Sequence, residues 1–363
     1  MKKRLFKMII LLIILLENFT ISVKAISDTA KSTIAIDIET GRVLYEQNSH
    51  TKRLIASTTK IMTAIVAIEK NDLDKTVEIG PEILTMYGTN IYIELGEKMQ
   101  VKDLLYGLIL RSGNDAAMAL AITTSGSEEE FVKLMNKKAK EIGMNDTTFS
   151  NPHGLDDDTK NYSTAYDMAL LSQYAYQNKT YREISSTKKY VTTSQNKTYL
   201  WYNRSKLLKE YKYCISGKNG YTPDAGKTFV SVAKKDNLTL SIVTLKDPDI
   251  YNNHKRIYEK LFGSYKSVTI INKNLYNKNY KNLKEKRYIK TSFTYPLTKA
   301  ETKSIKTAEI IYESVEKNSS KIGEIQIFLN TEKIGAIPVY VKAEKKESKN
   351  NSLFNKIKQL FSW

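Results

Sequence analysis

Ser57 and Lys60 stand three residues apart in "LIASTTKIMTAIVAIE" (residues 54–69), a run otherwise dominated by Ile, Ala, Met and Val. Helical spacing puts the two side chains on one face. A serine hydroxyl becomes a useful nucleophile only when a base takes its proton. A lysine with its ordinary pKa of about 10.4 is charged at neutral pH and is a poor base. Burial among apolar side chains penalises the ammonium and makes an amine available. The pair therefore has the composition of an acylation centre. The same residues also suit a helix cap and a lysine that reaches out to solvent, because S-x-x-K alone is a weak pattern.

Two further segments add weight. "RSGNDAA" places Ser112 and Asn114 at S-x-N spacing in an expected break between helices, where side chains can face a cleft. "SGKNGYT" places Lys218, Asn219 and Gly220 at the expected start of a strand. There the lysine would supply a cation for a carboxylate, and the glycine would admit the backbone of an extended substrate. A chance coincidence of all three is improbable.

The elements that must position these residues are legible in outline. "STIAIDIETGRVLYEQN" alternates apolar and polar residues about Glu39-Thr40-Gly41, the signature of a β-hairpin. A helix is expected from Ala56 or Ser57 to about Glu69, another from Val101, and a third from the Ser112–Asn114 break to about Thr124. Residues 127–142 and 164–177 read as amphipathic helices, with "NPHGLDDDTKNYS" as a loop between them. Strands follow: "KKYVTTS", "KTYLWYN", "KTFVSVAKK" and "LTLSIVTLK", the last two forming a hairpin at Lys235-Asp236-Asn237. A helix over 252–262 closes the region. Strands at both ends with helices between them predict one sheet assembled from the two ends, with a helical lobe in the middle. Beyond Gly263-Ser264-Tyr265, short β segments at regular spacing predict a separate all-β module. The final "SLFNKIKQLFSW" sets Leu353, Phe354, Ile357, Leu360 and Phe361 on one helical face, with Lys356 and Lys358 on the other.

Composition narrows the setting. Lys2, Lys3, Arg4 and Lys7, an apolar run from Met8 to Leu16, and Val23-Lys24-Ala25 together read as a secretory signal over residues 1–25. The 363-residue chain carries a formal charge of +18. The signal holds five basic residues and one acid, so its removal lowers the charge by four, to +14. Such a balance suits an anionic surface. Nucleic acid is the weakest candidate, since the chain is read as exported and has no aromatic-basic recognition motif. One cysteine, Cys214, rules out an internal disulfide. The three histidines, His50, His153 and His254, have no zinc-ligand spacing.

Taken together, these motifs resemble the serine D-alanyl-D-alanine carboxypeptidases, the low-molecular-mass penicillin-binding proteins, whose S-x-x-K, S-x-N and K-T-G set they parallel. The resemblance includes "IAIDIETGRVLYEQN", "DLLYGLILRSGNDAAMALA", "NPHGLDDDTKNYSTAYDMA" and the β-rich tail. It implies an α/β (α+β) fold. A β-lactamase/DD-peptidase-like domain (residues 26–265), an antiparallel sheet flanked by helices with a helical lobe, would be followed by a small all-β domain (266–343). A charged linker and an amphipathic helix (344–363) would then lie on the outer face of the cytoplasmic membrane. The six lysines and two glutamates from Lys342 onward would favour anionic lipid.

The resemblance also implies roles. Ser57 would attack the carbonyl between the terminal D-alanines of a peptidoglycan stem peptide, and β-lactams would acylate the same hydroxyl. Lys60 would be the base, Ser112 a proton relay, and Asn114 a holder of the substrate amide and Lys60. The backbone amides of Ser57 and Tyr221 would form the oxyanion hole. Lys218, Asn219, Gly220, Tyr221 and Thr222 would bind substrate, with no metal or organic cofactor. One departure stands out: Asn219 occupies the threonine position of K-T-G, with Thr222 as a partial substitute and Arg256 as a secondary carboxylate partner. A D,D-endopeptidase, a β-lactamase of the same fold and a catalytically impaired wall-binding protein remain open. Against the β-lactamase, the loop after Asn151 offers Asp156-Asp157-Asp158 but no convincing deacylating glutamate.

Overall fold

Two early strands and three late ones form the main sheet. The computed structural model describes residues 26–195, 197–279, 287–312 and 320–341. The expected signal segment and C-terminal helix lie outside these residues. β1 (Ser32–Asp37) and β2 (Val43–Gln47) pair antiparallel across a turn in which Gly41 takes a φ of 74°. β3 (Cys214–Thr222), β4 (Gly226–Lys235) and β5 (Leu238–Leu245) complete the order β2-β1-β5-β4-β3. β1 pairs antiparallel with β5, with Ile34 opposite Val243, and β4 pairs antiparallel with β3, with Val230 opposite Lys218. Every residue of β1 and β5 is buried, so both faces of the sheet centre are covered. β3 is an edge strand, so half of its backbone groups face away from the sheet.

The helical lobe comprises α1 (Lys60–Lys70), α2 (Val101–Tyr106), α3 (Asn114–Ser125), α4 (Glu128–Ile142), α5 (Ala165–Gln177) and α6 (Lys179–Ser186). α1 is buried on every side through its first eight residues, Lys60 to Ala67, as befits a central helix, and turns polar only at Glu69 and Lys70. α4 is amphipathic, burying Phe131, Met135 and Ala139. Ser127 caps it by accepting from the Glu130 amide, and Gly143, at φ 89°, ends it. Thr164 caps α5 in the same way through the Asp167 amide. α5 meets one sheet face through a 2.7 Å hydroxyl contact between Ser172 and Ser241. α7 (Ile250–Ser264) covers the other face, where His254 bridges β4 and β5.

Three local results differ from expectation. The two strands 189–193 and 198–202 do not join the main sheet but form a hairpin of their own. Tyr190 stacks on Tyr106 of α2 at 3.6 Å, and Trp201 and Tyr199 are buried, so the lobe claims them. α6 was not foreseen, since only Tyr181, Ile184 and Ser185 of its eight residues are buried. Lys218 lies in the middle of β3, not at its start.

The chain divides into two compact units, one of residues 1–235 with 239–261, the other of 236–238 with the residues from 262 onward. In the second, β6 (Tyr265–Ile271) pairs with β8 (Phe293–Thr298). β7 (Arg287–Ile289), β9 (Ile305–Ile311), β10 (Lys321–Leu329) and β11 (Glu332–Val341) form a sheet of order β7-β11-β10-β9. Ile289, Ile325, Ile327, Ile337 and Val339 make its core. The period-two alternation of apolar residues along β10 places them on one face.

Candidate active site

Ser57 sits in a single 3₁₀ turn, Ala56–Thr59, that leads into α1. Ala56 has a φ of 46°, in the left-handed region, which costs a residue with a Cβ roughly 1–2 kcal/mol. Two glycines hold it there by close approach. A Cβ on Gly154 would lie 2.1 Å from the Ala56 carbonyl oxygen. One on Gly220 would lie 2.7 Å from the Ser57 nitrogen and 2.6 Å from Thr228 Oγ1. This corrects the expected role of Gly220. The backbone it admits in the structure is that of the Ala56–Ser57 turn, pressed against β3.

Lys60 is fully buried, and its Nζ has three partners: Ser57 Oγ at 3.1 Å, Asn114 Oδ1 at 2.7 Å and the backbone oxygen of His153. Two of these can only accept. A neutral amine has two N–H bonds for them and one lone pair left, and the remaining neighbour is the one group that can donate, the Ser57 hydroxyl. Stripping water from an isolated ammonium costs several kcal/mol, which works against the charged form of a fully buried lysine. Burial, helped by the charges of Lys218 and Arg204, holds the Lys60 pKa well below the usual lysine value, although Asp115 pulls the other way. The geometry and the electrostatics agree on an amine aimed at a hydroxyl.

The S-x-N pair is built by a helix that ends badly. α2 widens into a π turn over Gly107–Arg111, and Ser112 then adopts a left-handed conformation at φ 67°. Such irregularities in a non-glycine residue persist only where the surroundings impose them. Here Asn114 starts α3 and is clamped on both sides, its Oδ1 accepting from Lys60 and its Nδ2 donating to the Tyr87 carbonyl at 2.6 Å. Lys218, also buried, donates to Ser112 Oγ at 2.9 Å and to the Asn219 carbonyl at 2.7 Å. Burial, with the nearby Arg204 charge, lowers its pKa to about 7. The three segments singled out by spacing thus form one connected set, Ser57–Lys60–Asn114 beside Ser112–Lys218.

The remaining candidates fall differently. Tyr221 is 64% exposed on the edge strand beside the Ser57 turn. Asn219 is half-buried, and its side-chain amide makes no hydrogen bond among the described residues. Thr222 does not substitute for the missing threonine, because its hydroxyl donates to Asp156 Oδ2 and accepts from the Ala225 amide, which fixes the turn into β4. Arg256 lies at the surface, paired with Asp249 at 3.3 Å, and takes no part. Among the described residues no group of three or more His, Cys, Asp or Glu side chains is placed to hold a metal ion.

Three contributors escaped sequence reasoning. His153 supplies a backbone oxygen, so its side-chain identity gave no signal. Its loop is pinned by Asn151, which accepts from the Gly154 amide at 2.6 Å, and by Asn161, which accepts from the Ser150 amide at 2.6 Å. Asp115 is buried and accepts from the amides of Ile91 and Tyr92, tying the 91–92 segment to the start of α3. Arg204 reaches the site only through the chain reversal between the hairpin and β3, where it donates to Thr89 Oγ1 at 3.2 Å. The two asparagines that bracket the loop, Asn151 and Asn161, were the one usable hint.

Comparison with known proteins follows the same line. The family model for D-alanyl-D-alanine carboxypeptidase matches residues 19–249. The chain is 40% identical over 215 residues to D-alanyl-D-alanine carboxypeptidase DacF of Bacillus subtilis (strain 168), covering 58% of this chain and 55% of that protein. It is 33% identical over 265 residues to D-alanyl-D-alanine carboxypeptidase DacC of Escherichia coli (strain K12), covering 69% and 65%. The match therefore spans between half and two thirds of the length of these relatives. The fold is similar to that of penicillin binding protein 5 from Haemophilus influenzae, with a TM-score of 0.74 and 25% identity over 88% of this chain and 98% of that one.

Proposed function

The chain belongs to the D-alanyl-D-alanine carboxypeptidase family, and from that premise we propose that it is a serine carboxypeptidase that removes the terminal D-alanine from peptidoglycan stem peptides and is acylated by β-lactams. The observation that carries this reading is the partner set of Lys60, two obligate acceptors and the Ser57 hydroxyl, which leaves an amine lone pair for the serine proton.

In the proposed reaction Ser57 Oγ attacks the carbonyl between the two D-alanines while its proton passes to Lys60. The edge of β3 runs beside the Ser57 amide, so the Ser57 and Tyr221 amides are the donors assigned to the developing oxyanion. Losing one such donor costs about 2.7–4 kcal/mol in other acyl-transfer enzymes. Breakage of the peptide bond requires a proton on the leaving nitrogen. Ser112, held by Lys218, is assigned to relay it, and Lys218 below its pKa of about 7 supplies positive charge for the substrate carboxylate. Water then cleaves the ester and restores both Ser57 and the amine. Asp156 and Asp157 accept from Thr222 and Tyr87, commitments that disfavour either as a deacylating base.

A fluorescent penicillin tests this. Covalent labelling of the purified protein and its loss in Ser57→Ala are expected; absence of labelling from both proteins sinks the reading in favour of a wall-binding role. D-alanine release from a pentapeptide, set beside nitrocefin turnover, separates carboxypeptidase from β-lactamase. We assign residues 26–265 to the catalytic domain and 266–343 to the β domain, with export directed by residues 1–25 and the tail helix on the membrane surface. Deleting residues 346–363 is expected to move the protein from the membrane to the soluble fraction.

A further inference from the structure

Residues 188–213 hold seven basic side chains and a single acid, Glu210. Within the first compact unit the fold gathers part of this excess around two tyrosine rings. Lys189 Nζ lies 5.9 Å and Lys209 Nζ 5.7 Å from the ring centre of Tyr202. Lys212 and Lys235 approach the Tyr213 ring at 4.8 and 5.1 Å. The stretch Lys209–Lys212 joins the two stations, so their backbones are no more than about 11 Å apart there. Lys189, Lys209, Lys212 and Tyr202 are exposed, and Lys235 and Tyr213 are half-buried. Beside them Val191 and Leu200 pair across the 189–202 hairpin and face out, 54% and 50% exposed.

A ring flanked by two ammonium groups is out of balance. Exposed cation–π contacts are weak, and the two cations repel each other. Among the described residues none of Lys189, Lys209, Lys212 and Lys235 has a carboxylate partner. Lys52, Lys133, Lys160 and Lys333, by contrast, each pair with one. The four cations around the rings are therefore left for an anion from outside the chain. Their type narrows what that anion is. The arginine fork matches a planar carboxylate, whereas lysine meets a phosphate as a point charge. The one arginine in the segment, Arg204, is committed to Thr89 Oγ1 and the Arg111 carbonyl. Two stations a short way apart suit anions repeated along one chain. The rings, with Val191 and Leu200, offer apolar surface to the carbon units between those anions. A membrane contact calls for a continuous apolar face, which two aliphatic side chains do not supply.

We propose that this surface binds a linear polyphosphodiester built on small polyols, held by the four lysines and the two tyrosine rings. The inference does not depend on the carboxypeptidase reading, since none of these residues belongs to the acylation set. The test follows the anisotropy of fluorescein-labelled poly(glycerol phosphate), about 20 repeats long, on adding the full-length protein. Binding is expected to weaken about tenfold or more between about 50 and 200 mM salt, as counterion release requires. Combining Lys189→Gln, Lys209→Gln, Lys212→Gln and Lys235→Gln is expected to weaken it about 100-fold. A control protein with Lys52→Gln, Lys133→Gln, Lys160→Gln and Lys333→Gln loses the same charge and is expected to bind within about threefold of the unmodified protein. Melting temperatures within about 2 °C of one another report that all three are folded. Vesicles containing phosphatidylglycerol present the same phosphodiester on a membrane, and their binding is expected to be equal for the three proteins. Equal losses of polymer binding in the two variants, which would make net charge the whole cause, overturn the proposal. So does failure of the unmodified protein to bind the polymer, or loss of vesicle binding in the first variant while the polymer stays bound, which would make the surface a membrane contact.

Discussion

Two clusters of buried polar side chains flank the main sheet, and a comparison by distance alone would choose the wrong one. Between the sheet and α7, Ser231 Oγ lies 2.7 Å from His254 Nδ1, shorter than the 3.1 Å between Ser57 Oγ and Lys60 Nζ. Yet the imidazole is closed at both ends, with Thr244 Oγ1 2.9 Å from Nε2, and Tyr258 donates to the Ser231 carbonyl. Burial pushes the His254 pKa down to about 3, and every member of the cluster is sealed. At the Ser57 turn the serine is half-buried, Lys60 is an amine whose charged form burial disfavours, and an open sheet edge passes alongside. A hydrogen-bonded serine is therefore ordinary structure. What marks a site is a donor–base pair with one side left unfinished toward solvent and charges arranged to act on what arrives there.

The largest test of this contrast sets the two serines against each other. Ser57→Ala is expected to lower penicillin acylation by about 10³-fold or more. Ser231→Ala is expected to leave labelling within about twofold while lowering stability by about 1–3 kcal/mol in urea unfolding, because it strips a partner from buried groups. A folded Ser231→Ala protein that no longer labels breaks the comparison.

Replacing the buried cation comes next. Lys218→Met is expected to lower kcat/KM for D-alanine release by about 10²-fold, the lower end for a proton-transfer partner, and to raise the melting temperature at pH 7. The sign follows from the lowered pKa. The unfolded chain holds a proton on Lys218 up to about 10.4, and the folded protein only up to about 7, so the native lysine gains stability as pH rises between those values. The advantage of methionine is thus greatest at and below pH 7 and shrinks toward pH 10, as melts at the two pH values will show. The same titration predicts that wild-type kcat/KM for a carboxylate-ended peptide declines above about pH 7, as Lys218 loses its charge.

Gly220→Ala probes the turn itself. The new Cβ would press on the Ser57 amide and Thr228, and a displacement of Ser57 by a fraction of an ångström is expected to slow acylation about 10- to 100-fold and, because backbone must shift, to lower stability by about 1–3 kcal/mol. The smallest effect is reserved for Asn219→Thr. It is expected to raise kcat/KM by about two- to fivefold, the worth of one added hydrogen bond; a decrease would show that Asn219 already fills that role.

The helices of the lobe other than α6 were readable because their apolar faces are local; α6 buries only three of its eight residues and was not. Ser127 and Thr164 announce α4 and α5 by spacing alone, and the alternation in β10 announces a half-buried strand. The 189–202 hairpin was read as strands correctly but placed in the wrong company, since its aromatic side chains pack on α2 through contacts that no period encodes. Ser57, Lys60, Ser112, Asn114 and Lys218 were legible because side-chain chemistry selects their types at fixed places along the chain. His153 and Arg204 were not, since one acts through its backbone and the other through its position after a chain reversal.

The sequence by itself determined the chemical repertoire: a hydroxyl, two lysines that burial can disarm, an amide to hold one of them and a glycine where backbone must pass. Tertiary structure alone decided the protonation of the lysines, the acceptor pattern around Lys60, and which of two hydrogen-bonded serines is left accessible. The reason is that residue type fixes which protons and lone pairs exist, whereas pKa and exposure are set by neighbours distant in the chain.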